Sequence, residues 1–311
     1  MKSKKNMVLK SASFIIMILS IIIIIFNTNS MKTLPTFKAI DKNLTINEDF
    51  NGDGKKDVLY IKTDSSEYLI QVNLNNEDSL SLDPSKDLST LGEHKTYWPM
   101  RLTVKDISRD NLKEIFTQSS FNETPIQHLF IFNNNKYENI FSAKNNILGF
   151  LDDSNGKTPK VISGNFQNGT MILKSYLLVN KELKEYAYSY PSNFVGNNCV
   201  SEFINLIESF PYENLDVPDY FSSNISYNSI TSLYTIANNN HVYKLQDCFF
   251  KDISYDEKNE PYEFSWTLNF KGIDESDKNK IKNFTVDLIV TKSNVASPNF
   301  EYKITSLDIS F

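Results

Sequence analysis

The feature that most narrows the fold is a nine-residue run, Asp49-Phe50-Asn51-Gly52-Asp53-Gly54-Lys55-Lys56-Asp57, that leads straight into Val58-Leu59-Tyr60-Ile61. Asp49, Asn51, Asp53 and Asp57 are spaced so that one curl of backbone can turn their oxygens toward a single centre, and the carbonyl of Lys55 would add a main-chain oxygen. A hard cation such as calcium takes about six to eight oxygens at roughly 2.3–2.6 Å, and this run supplies that kind of ligand. Gly54 gives the backbone freedom that wrapping an ion requires. A calcium loop set between two helices would carry a bidentate Glu at its twelfth position, where this chain has Tyr60. The β-branched and aromatic run after Asp57, bounded by Asp64-Ser65-Ser66, specifies a strand instead. The loop therefore feeds a sheet. Without an ion, the same residues would form an Asn-Gly/Asp-Gly turn joining two strands.

The pattern recurs. Aligned on the first loop, Asp106, Ser108, Asp110, Leu112 and Glu114 fall over Asp49, Asn51, Asp53, Lys55 and Asp57, and Asn111 falls over Gly54. Asn is among the few residues that tolerate a left-handed backbone. Ser108 and the missing glycines leave this second loop with a weaker ligand set, so it is expected to keep the turn more firmly than the ion. A third copy from Asp152 puts Gly156 and Lys160 where carboxylates should stand, and a lysine there would repel a cation; this loop is expected to be structural. An Asp-x-Asn-Gly-Asp-Gly-x-x-Asp run followed directly by a strand resembles the calcium loop of FG-GAP and VCBS repeats, the blade units of extracellular β-propellers. The resemblance implies calcium at Asp49, Asn51, Asp53, Lys55 and Asp57, and blade-like antiparallel sheets over residues 36–190. Strand signals at 67–74, 127–132, 136–141 and 171–179 fill the gaps. Three copies are fewer than the four to eight blades that close a propeller. The expectation is an open, incomplete β-propeller-like array, with one end shielded by the next domain.

Ahead of the loops, residues 1–30 carry Lys2, Lys4, Lys5 and Lys10, no acid, and an apolar stretch over 11–26. That stretch falls between the usual lengths of a signal-peptide core and a spanning helix. An uncleaved N-terminal transmembrane anchor is expected, with its lysines inside and the rest of the chain extracytoplasmic; cleavage after Ser30 would instead give a secreted protein. The net charge is −6, which leaves −10 beyond the basic head. An acidic body with no basic stripe excludes nucleic acid as a partner.

The pattern changes near residue 191. Val200, Phe203, Ile204, Ile207 and Phe210 recur at helical spacing, after Asn197-Asn198 as caps and before Pro211. Tyr227, Ile230, Leu233, Tyr234 and Ala237 mark a second helix. Long strands follow at 242–254, 262–271, 282–291 and 301–310; in the second of them Tyr262, Phe264, Trp266, Leu268 and Phe270 alternate with polar residues, giving one apolar and one wet face. Helices followed by a meander resemble the cystatin-like cone of nuclear transport factors, which implies helices packed on a curved antiparallel sheet. Its aromatic residues are expected to be core before they are pocket. His94, His128 and His241 lack metal-site spacing and are expected to be surface or hydrogen-bonded residues. No nucleophile elbow, phosphate-binding loop or dinucleotide fingerprint occurs. Cys199 and Cys248 could pair outside the cytoplasm, although Cys248 beside Phe249 and Phe250 reads as a buried thiol.

The sequence thus leads to a mainly β chain with three parts: an anchor or signal peptide at 1–30, a β-repeat domain at 31–190 and an α+β domain at 191–311. The function it suggests is a membrane-anchored extracytoplasmic calcium-binding protein without catalytic activity, presenting its repeats to a protein or glycan partner. The alternative is a small-molecule sensor or enzyme that uses a pocket in the C-terminal domain.

Overall fold

Each of the three Asp-rich loops sits between the first and second strands of a four-stranded antiparallel meander. In the computed structural model the described residues are 45–64, 66–75, 78–152, 155–186, 194–211, 217–293 and 299–310. The first meander is β1 (Thr45–Glu48), β2 (Asp57–Asp64), β3 (Glu67–Asn73) and β4 (Ser79–Ser81). The second is β5 (Arg101–Lys105), β6 (Glu114–Phe121), β7 (Thr124–Asn133) and β8 (Lys136–Ala143). The third is β9 (Ile147–Leu151), β10 (Lys160–Gln167), β11 (Thr170–Val179) and β12 (Glu182–Glu185). Asn opens four of the tight hairpin turns, at Asn122, Asn134, Asn168 and Asn180, and both central residues of each have positive φ. That is the twist a two-residue hairpin loop needs, and Asn reaches it at low cost.

The remaining elements are α1 (Asn197–Glu208), α2 (Tyr227–Ala237), β13 (His241–Tyr255), β14 (Pro261–Asp274), β15 (Ile281–Lys292) and β16 (Tyr302–Ser310). The four strands form a meander, and β13 pairs in parallel with β9 through Cys248–Lys251 and Ile147–Phe150. The third meander and the C-terminal one therefore form a single eight-stranded sheet, in the order β12-β11-β10-β9-β13-β14-β15-β16. This sheet joins strands from either side of residue 190, where the change of sequence pattern had suggested a division. Among the described residues the sheets form no closed barrel or propeller; the edge that β9 would have exposed is taken up by β13. The anchor expected at 1–30 lies outside the described residues, and among these no helix is long and apolar enough to cross a membrane.

Strand alternation sends successive side chains into successive apolar layers. Ile115 of β6 joins Phe50, Leu59, Ile61 and Val72 between the first two meanders. Its neighbour Phe116 points the other way, toward Leu148, Phe150, Val161 and Phe249, and meets Phe150 edge-on at 4.9 Å between ring centroids. The second residue of each of the first two loops is a peg: Phe50 is buried in the first layer and Ile107 in the second. A third layer lies under the two helices, where Phe250 stacks on Trp266 at 4.3 Å and the Trp266 indole donates to the Val195 carbonyl at 3.2 Å. The aromatic residues of the C-terminal sheet thus pack as core, as expected. Asn197 and Asn198 do not cap α1; Gly196, at φ 71°, holds that position, and Asn198 lies inside the helix with its Oδ1 accepting from the Cys199 amide.

The expected wet face of β14 is a correction. Asn269 is fully buried and Thr267 nearly so, because the second meander covers the side of the sheet opposite the helices. The seam is polar. Asp247 accepts from the Trp98 indole at 2.6 Å and from Asn269 at 2.9 Å, and is ion-paired with Arg101. Gln118 and Gln127 donate to the carbonyls of Cys248 and Ile147 at 3.1 and 2.9 Å.

Cys199 and Cys248 are free and buried, and burial pushes the Cys199 thiol up to about 12 and the Cys248 thiol well above its ordinary value. Both are therefore expected to resist thiol reagents in the folded chain and to react on denaturation, with the same count with and without reductant. A count that rises only with reductant would mean that they pair.

Candidate metal centre

Apart from their third positions, the first two loops close on themselves through the same hydrogen bonds. Asp49 Oδ1 accepts from the Gly52 amide at 2.7 Å and Oδ2 from Gly54 at 2.8 Å; Asp106 accepts from Arg109 at 2.6 Å and Asn111 at 3.1 Å. Asp53 accepts from the Lys55 amide and Asp110 from Leu112, at 2.8 and 2.9 Å, so Lys55 and Leu112 enter the pattern through their N–H groups. Asp57 and Glu114 reach back to the amides of Phe50 and Ile107, at 2.9 and 2.6 Å. The left-handed positions also match: Gly52 and Gly54 correspond to Arg109 (φ 62°) and Asn111 (φ 70°). The alignment of Asn111 on Gly54 therefore describes a real backbone equivalence. The short polar residues at position three differ: Asn51 accepts from the Asp53 amide at 3.0 Å, while the Ser108 hydroxyl donates to Asp106 at 3.4 Å.

The loops differ in what their carboxylates do next. Asp106, Asp110 and Glu114 bring one oxygen each within 4.8 Å of one another, and among the described residues they are the three-carboxylate cluster that could hold an ion. In the first loop an amide stands between two of the acids: Asn75 Nδ2 donates to Asp53 at 2.8 Å and to Asp57 at 3.4 Å. The carboxylates thus gather in the loop with the weaker ligand set by sequence, where Glu114 reaches one methylene further than Asp57. Asn75 was not legible as part of the loop. It follows β3, and only the pairing of β2 with β3 brings it alongside.

Electrostatics follow the same division. Burial raises the Glu114 carboxyl above the ordinary glutamate value; its bonds to the Ile107 and Ser108 backbone oppose that shift, and the charge of Asp110 adds to it. Glu114 is 3% exposed, so little water reaches it to relieve the charge. Asp53 moves the other way, lowered first by its bond from Asn75.

The third loop has its own cation. Lys160 is ion-paired with Asp152, which is 5% exposed, so an ammonium stands where the other loops place an acid. The loops also touch in series. Leu112 lies over Gly52, where an added Cβ would come within 2.9 Å of its methyl, and the Arg109 guanidinium donates to the carbonyls of Gly156 and Lys157. His128 is hydrogen-bonded, as expected, to Ser142 and the Thr90 carbonyl at 2.9 Å each.

Comparison with protein-family models gives no match, and comparison with curated proteins gives none either.

Proposed function

We propose that this chain is a non-catalytic, calcium-binding extracytoplasmic protein, tethered to a membrane by its N-terminal segment, whose stacked meanders offer a binding surface to an external partner. The observation that carries this reading is the repetition of one loop geometry at 49–57 and 106–114, with three carboxylates of the second copy gathered about one point. Oxygen-only ligands suit a hard cation, and the resemblance of the first loop to calcium-binding repeats selects calcium among these. In the first loop the carboxamide that bridges Asp53 and Asp57 also carries an oxygen, so a half-turn of Asn75 would exchange a donor for a ligand. The apolar, basic-flanked segment at 11–26 supports the location.

The energetic logic is linkage. A buried, crowded carboxyl destabilises the folded chain when ionised, and a cation that binds only the folded loop removes that cost. Because the folded Glu114 pKa is raised, stability in the metal-free chain is fully present below the ordinary glutamate range and is lost as pH rises through the raised value. Calcium should therefore stabilise more at neutral pH than in acid. At a hundredfold excess over Kd the increment is about 2.7 kcal/mol. In the full chain, adding calcium after chelation is expected to raise the thermal midpoint, and Glu114→Gln to remove most of that rise. Identical midpoints with chelator and with excess calcium at neutral pH would sink the proposal.

A further inference from the structure

A second site lies away from the loops. Between the β6–β7 and β10–β11 hairpins, the end of α1 and the start of β13 opens a cleft of about 740 Å³, a volume in the range of small-molecule pockets. Its wall includes Gln246, which has no counterpart in β14: the register passes from Leu245–Phe270 to Asp247–Asn269, so Gln246 is the extra residue of a β-bulge. Bulges re-aim side chains and often lie next to functional sites. Gln246 is 2% exposed, yet neither its carboxamide nitrogen nor its oxygen has a protein partner. A buried amide without partners is costly to the fold, and a ligand offering an adjacent donor and acceptor would recover that cost.

The chemistry of the walls narrows the ligand. Two acids, Glu123 and Glu208, face two bases, Lys244 and Lys271, so the cleft has no net pull on an ion. Lys271 and Glu123 are already paired at 2.8 Å, and Glu208 accepts from the Leu245 amide at 2.8 Å. Phe166 and Pro125 add apolar surface. A carboxamide ready to donate and accept, balanced charge and an aromatic wall suit vicinal hydroxyls on an apolar ring face. We infer that this cleft binds a neutral saccharide, with Gln246 as the residue that recognises its hydroxyl pairs. This deepens the partner reading above, and it names a site that does not depend on the calcium loops.

The test is calorimetric titration of the full chain with maltotriose, cellotriose and the fully N-acetylated chitotriose, each in calcium and in chelator. Saturable binding of at least one, weakened about tenfold or more by Gln246→Leu and unchanged within twofold by Lys62→Glu, an exposed position on β2 outside the cleft, supports the inference. Phe166→Ala serves as the second variant if Gln246→Leu fails to fold, and should also weaken binding about tenfold. No saturable binding of any of the three overturns the inference, as does equal binding by the Gln246 or Phe166 variant. Saturation by a tetra-alanine peptide in place of the sugars would also overturn it, and would assign the cleft to peptide. Binding that persists in chelator while calcium leaves the thermal midpoint unmoved would retain this site and remove the calcium proposal.

Discussion

Asp247→Ala is expected to lower the stability of the folded chain by about 3–5 kcal/mol, the usual cost of leaving one partner of a buried ion pair alone. Arg101 is 1% exposed and Asp247 2%, and the substitution would strand the guanidinium together with the Trp98 indole and the Asn269 amide that also bond to the lost carboxylate. Replacing both charges, as in Arg101→Met with Asp247→Leu, should recover much of the loss, because no unpaired charge then remains. Urea denaturation measures this. The position of the pair gives the result further meaning, since it ties β5 of the second meander to β13 of the eight-stranded sheet. One cooperative transition, shifted as a whole by Asp247→Ala, is the expected outcome. Two transitions with only one of them moved would mean that the N-terminal meanders and the C-terminal sheet fold as independent units.

A second large effect is expected on acidification. His128 is 1% exposed, and burial lowers its pKa from 6.5 to about 4, against the opposing bond to the Thr90 carbonyl. The folded state thus binds this proton less well than the unfolded state does. Stability is fully present above pH 6.5 and drains away as pH falls toward 4, by about 3 kcal/mol in all for a shift of this size. His128→Gln keeps a polar side chain near Ser142 and the Thr90 carbonyl but cannot titrate. The stability difference between the parent chain and this variant should therefore shrink between neutral pH and pH 4. Parallel pH profiles would show that His128 gains its proton without cost in the folded chain.

Much of the local structure was legible because its causes are local. The run after Asp57 became β2, the helical spacing of Val200 to Ile207 became α1, and the second helix spans Tyr227–Ala237, the residues that its apolar spacing marked. The loop alignment held to the level of individual hydrogen bonds because an Asp accepting amides three and five residues ahead needs only its own backbone. How the carboxylates of the two loops are arranged was not legible. It depends on Asn75, which arrives from across a strand pair, and on how far the Glu114 side chain reaches. The change of pattern near 190 marked a change in element type, and a change in element type does not oblige a sheet to end.

The alternation of β14 shows the same limit in one strand. Its apolar residues pointed into a core, as their spacing required, but whether the polar face met water depended on the covering second meander. Gln246 is similar: in sequence it is one polar residue in an apolar strand, and only the register of β13 against β14 makes it a bulge. By itself the sequence determined the loops, the strands and helices and their apolar faces, because these follow from the backbone preferences and spacing of neighbouring residues. The tertiary structure alone decided which carboxylates converge, that β9 joins β13 and that the Arg101–Asp247 pair is buried, because each depends on residues distant in the chain meeting where little water reaches them.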